Sequence, residues 1–176
     1  MTFRNLWRTW FACLVLCLPI LALLLVPQLM RSRAGSSASL MLGVSALLVL
    51  LVAAFVFAPA ASAWSSPAPG WQPRIALRTT RALWRRRTGA SVLALIAGLG
   101  IYAIGQIAGY ALAEAVPHVH ENPVFAADRS QSPWIIDYPA FALQAFALYA
   151  MTTLAVAVYA WSMRALSLRA ASSVIA

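Results

Sequence analysis

Residues 40–60 read LMLGVSALLVLLVAAFVFAPA, an uninterrupted run without a charged side chain in a chain of 176 residues. A helix rises about 1.5 Å per residue, so such a run covers roughly 30 Å, the thickness of a bilayer's hydrocarbon core. Apolar residues occupy every side of it, where a helix lying on a soluble core would carry one apolar stripe. Working outward, three further runs have the same character, at about 10–30, 90–115 and 140–163, and their only charge is Glu114, at the end of the third. Lipid offers no partners to free N–H and C=O groups, so each run must be helical. The expected fold is all-α: an integral membrane bundle of four transmembrane helices, forming a single membrane domain over residues 1–176.

Composition leads to the same place. Hydrophobic residues make up 62% of the chain and charged residues 10%, against about 25% in an average soluble domain. A soluble core of this size has no room for that much apolar surface.

The thirteen basic residues are all arginine, and their placement sets the orientation. Cytoplasmic loops are enriched in basic residues. With the N-terminus inside, the cytoplasmic segments hold Arg4, Arg8, Arg74, Arg78, Arg81, Arg85, Arg86, Arg87, Arg164 and Arg169. The outer segments hold Arg31, Arg33 and Arg129. The opposite orientation would place ten arginines outside. Both termini are therefore expected inside, with a cytoplasmic loop at 61–89 and an outer loop at 116–139. Arginine used without lysine suits a GC-rich bacterial genome, so the expected location is a bacterial inner (cytoplasmic) membrane. Tryptophans favour membrane interfaces. Trp7, Trp10, Trp64, Trp71, Trp84 and Trp161 are expected at the inner one and Trp134 at the outer one.

A formal charge of +9 in a soluble protein would suggest nucleic acid. Here the arginines flank spans, so the expected partner is the anionic lipid headgroup of the cytoplasmic face, and no nucleic acid. Within the inner loop, Arg74, Arg78, Arg81 and Arg85 recur at helical spacing, with Arg86 and Arg87 beside them, while Ala76, Leu77, Leu83 and Trp84 take the other side. That pattern predicts a short amphipathic helix in the interface between the second and third spans. The proline-rich stretch before it, 62–72, reads as a linker on the membrane surface.

Inside the membrane the third span is the most informative. Ala94, Gly98, Gly105 and Gly109 form a strip of small residues, a surface on which another helix can approach closely. Gln106 lies near mid-membrane and is expected to hydrogen-bond across that contact. Pro19 should kink the first span. The last two spans are expected to pack together.

Chemistry-bearing residues are sparse. His118, His120 and Glu121 in the outer loop are the only candidates for a metal, and their spacing matches no specific motif. Cys13 and Cys17 lack redox spacing and are expected as packing residues. No catalytic residue and no cofactor is expected. The leading expectation is a non-enzymatic accessory, assembly or scaffolding subunit that acts through helix packing, with a membrane-protein partner or as a homo-oligomer. The alternatives are an oligomeric channel or transporter for a neutral or apolar solute, using Gln106, and a membrane enzyme with a metal-assisted site at His118, His120 and Glu121.

Overall fold

A computed structural model describes residues 3–30, 36–115 and 138–172. Among them are seven helices and no strand: α1 Phe3–Leu16, α2 Leu18–Leu24, α3 Pro27–Met30, α4 Ser37–Ser65, α5 Pro73–Arg86, α6 Thr88–Ala115 and α7 Tyr138–Ser172. Helices α4, α6 and α7 are each long and apolar enough to cross a bilayer, as a multi-pass membrane protein requires. The pair α1 and α2 passes the same test only when taken together, because each is too short alone, and it is bent by 56°.

The bend follows from the sequence. Pro19 has no N–H to continue the ladder and sits in the first turn of α2, where a proline is tolerated. A second proline, Pro27, opens α3, so the first apolar run is broken twice. A break in lipid frees carbonyls that need new donors. The last turn of α1 finds one in α7: the Tyr149 hydroxyl donates to the Leu14 carbonyl. One turn earlier, Trp10 Nε1 donates to Thr153 Oγ1 at 3.0 Å. Cys13 and Cys17 are fully buried between these contacts.

Helix α4 starts at a capped turn, with Ser36 Oγ accepting from the Ser39 N–H at 3.1 Å. It runs past the predicted end at Ala60, because Ala60, Ala61, Ser62 and Ala63 supply no breaker until Pro67. Two contacts locate the first segment along it. The hydroxyls of Thr9 and Ser62 lie 3.4 Å apart, near the C-terminal end of α4. Near its N-terminal end, Gly43 packs directly on the backbone of Leu29 in α3.

The stretch after α4 differs from the expected surface linker. Ala68 and Trp71 exchange backbone hydrogen bonds of 3.1 and 2.8 Å in a tight turn, and Gly70 takes the positive φ of 75° that the turn requires. The turn folds Trp71 into the protein while Trp64 stays exposed. Helix α5 then forms over Pro73–Arg86, with Leu77 exposed and not on the inward side expected for it. Ala76, Thr80 and Leu83 face inward, and Arg74, Arg78, Arg81, Arg85 and Arg86 face outward, as does Arg87 at its C-terminal cap. Trp84, expected at the inner interface, donates from Nε1 to the Tyr159 hydroxyl of α7 at 3.1 Å.

Helix α7 is the hub: α1, α2, α4, α5 and α6 all pack on it, and its pairing with α6 is the most extensive. Alanines at 155, 157 and 160 and the buried Val156 and Met163 give it a narrow waist that admits several neighbours. The hydroxyls of Thr152 and Thr153 bond back to the carbonyls of Leu148 and Ala150, which settles their polarity inside the bundle.

Candidate functional site

The small-residue strip of α6 faces α7, and the two helices run antiparallel. A β-carbon on Gly98 would come within 3.1 Å of the Ala155 carbonyl oxygen and 3.2 Å of Tyr159 Cβ. One on Gly105 would lie 2.6 Å from Met151 Cβ, and one on Gly109 would be 2.8 Å from Leu148 Cγ. Ala94 is buried in the same seam. The strip is therefore occupied within this chain, and Phe55 of α4 also reaches it at Gly98.

The amide that crosses this seam is not Gln106. It is Gln144 of α7, whose Nε2 donates to the Gly109 carbonyl at 2.8 Å. Glycine makes that bond feasible by bringing the two backbones close. Gln144 was visible in the sequence only as one polar residue among alanines, and its role depends on the register of α7 against α6.

Gln106 lies instead on the outer surface of α6, beside a groove of about 490 Å³ lined by Gln106, Ile107, Gly109, Tyr110, Gln144 and Leu148. The groove is open along one side. Tyr110 is 70% exposed at its rim and Ile107 is equally open, so an amide and a phenol stand on a surface that is otherwise aliphatic. A polar side chain moved from water to an apolar medium without a hydrogen bond loses roughly 2–7 kcal/mol. A neighbouring helix that offers hydrogen-bonding groups removes that penalty, which is how polar residues join membrane helices.

At the other end of the bundle, α5, which carries the exposed arginines, packs on α4 and α7. Arg164 is an exception to the exposed pattern, being buried and donating from Nε to the Ser66 carbonyl at 3.1 Å. In the sequence it counted only as one more inner-face charge.

The metal candidates His118, His120 and Glu121 lie outside the described residues, as does Trp134. Among the described residues no group of histidine, cysteine, aspartate or glutamate side chains could hold a metal ion. No protein-family model matches the chain, and no curated protein or solved structure is significantly similar to it.

Proposed function

We propose that this is a non-enzymatic accessory or assembly subunit of a larger membrane complex, docking a partner's transmembrane helix in the groove between α6 and α7. The observation that carries the reading is the exposed pair Gln106 and Tyr110 on a surface that faces lipid in the isolated chain. An adjoining helix would supply their hydrogen bonds and fill the groove. The α6 glycine strip does not serve this purpose, since α7 already occupies it.

The proposed topology has four passes with both termini in the cytoplasm of a bacterial cell. Gly43 and Ser62 stand nineteen residues apart on α4, about 28 Å along the helix. Leu29 meets the first and Thr9 the second, so α1 to α3 run along about two thirds of the length of α4. That favours a broken span over a re-entrant loop. Arginine asymmetry supplies the direction. The native thiols are buried, so single-cysteine labelling needs no cysteine-free background. A cysteine in place of Arg78 should react with an impermeant maleimide in inside-out vesicles and stay unlabelled in intact cells. Labelling in intact cells reverses the topology.

For the groove, a photoactivatable residue at position 106 should crosslink to one defined protein in native membranes. The same residue at Val49, exposed on α4, should crosslink to lipid only. Equal products at both positions would contradict a partner at the groove. Solute flux in proteoliposomes of the purified chain, lost in Gln106→Leu, would move the function to transport.

A further inference from the structure

Arg164 is only 6% exposed, yet the contact recorded for it is the one from Nε to the Ser66 carbonyl. A guanidinium carries five N–H donors and a full positive charge. One neutral carbonyl accepts one donor and leaves the charge uncompensated. A buried charge without a counter-charge costs several kcal/mol.

Among the described residues no carboxylate side chain supplies a counter-charge at this end. Its four carboxylates are Glu114, Glu121, Asp128 and Asp137, and none is among the described side chains. Asp137 adjoins the first turn of α7, twenty-seven residues before Arg164, which is about 40 Å along that helix. Glu114 is in the last turn of α6, at the opposite end of that helix from α5.

Other polar groups on the segments around Arg164 also lack partners. Ser66, whose carbonyl takes the Arg164 bond, is 4% exposed, and its own Oγ is buried without a partner. Trp161, one turn earlier on α7, has a buried indole N–H with no acceptor. The turn that begins at Ser66 ends at Trp71, whose indole N–H is in the same condition. Indole and guanidinium nitrogens donate and never accept, so two further copies of either would not satisfy them. An anion with several oxygens supplies acceptors for Arg164, Ser66 Oγ and the Trp161 indole. Outside, the exposed arginines of α5 raise the local concentration of anions.

We propose that the phosphate of an anionic phospholipid from the inner leaflet binds at Arg164, between the end of α4, the Ser66–Trp71 turn and α7. The guanidinium supplies the charge, and Ser66 Oγ and the Trp161 indole supply further hydrogen bonds. This site is distinct from the exposed arginine face of α5, which attracts headgroups without enclosing one. The proposal rests on the chain lying in a bilayer and not on what fills the groove, so either can fail alone.

The test uses the full chain purified in neutral detergent and stripped of lipid, with unfolding followed by a thiol-reactive dye that reads the release of Cys13 and Cys17. Phosphatidylglycerol at saturation should raise the midpoint by on the order of 5 °C. Phosphatidylcholine, whose headgroup has no net charge, should leave it unchanged. Arg164→Gln should abolish the shift, Arg164→Lys should keep part of it, and Arg78→Gln should keep all of it. Native mass spectrometry of the unstripped protein should find one retained anionic lipid, which keeps the proposal testable if Arg164→Gln does not fold. Inorganic phosphate giving the full shift would overturn the lipid source in favour of a soluble anion. An equal shift in wild type and Arg164→Gln, an equal loss in Arg78→Gln, or no shift and no retained lipid would overturn the site.

Discussion

Trp71→Ala is expected to destabilise the protein by about 3–5 kcal/mol, whereas Trp64→Ala should change stability by less than about 0.5 kcal/mol. The two tryptophans flank the same proline-rich stretch and have the same claim, by sequence, to anchor the inner interface. Their environments are opposite: Trp71 is 0% exposed and Trp64 is 73% exposed. The difference comes from the turn at Ala68–Trp71, where Gly70 reverses the chain and carries the indole into the core. Removing the ring leaves a cavity that a turn closed by two backbone hydrogen bonds has little freedom to fill. Thermal unfolding read through the buried thiols of Cys13 and Cys17 measures both variants. Equal midpoints for the two would mean that Trp71 is a membrane anchor and that the turn does not fold inward.

The second large effect separates two glycines of one helix. Gly105→Ala should cost about 1–3 kcal/mol, as overpacking does. The new methyl would lie 2.6 Å from Met151 Cβ, an atom fixed to the backbone of α7, so the helices themselves must part. Gly100→Ala meets nothing within 4 Å and should be neutral or stabilising by up to about 1 kcal/mol, since alanine favours the helix. Gly105 is also one turn from the Gly109 carbonyl that accepts from Gln144, so separation at Gly105 should loosen that bond as well. Unfolding midpoints of the two variants decide the matter. A harmless Gly105→Ala would contradict the register of α6 against α7.

Much of the architecture was legible because hydrophobic length and arginine spacing are local properties. The apolar run at 40–60 became α4, the Arg74–Arg85 periodicity became α5, and Pro19 produced the bend between α1 and α2. The second break, at Pro27, was missed because hydropathy alone does not register where a proline interrupts an apolar run. The site was less legible. Gly98, Gly105 and Gly109 stand out by type and do lie in a close helix contact. Which of the two amides, Gln106 or Gln144, crosses that contact depends on the rotation of α6 about its axis, and a run that is apolar on all sides does not encode it. Composition places Trp71 and Trp84 near the inner interface and does not say which side of each ring meets protein, so the burial of Trp71 and the bond from Trp84 to Tyr159 were not legible. Arg164 was hidden in a count of inner-face charges, and only tertiary packing distinguishes it from its neighbours.

The central claim is that the groove beside Gln106 receives a helix from another protein. The most direct test is the mass and composition of the complex extracted from its native membrane in mild detergent, by light scattering and mass spectrometry, for wild type and Gln106→Leu. The account predicts one additional membrane protein at fixed stoichiometry with wild type, and its loss or depletion of at least about tenfold with Gln106→Leu, the change that corresponds to 1.4 kcal/mol. A monomer or a pure homo-oligomer in both samples, with no second protein, would contradict it.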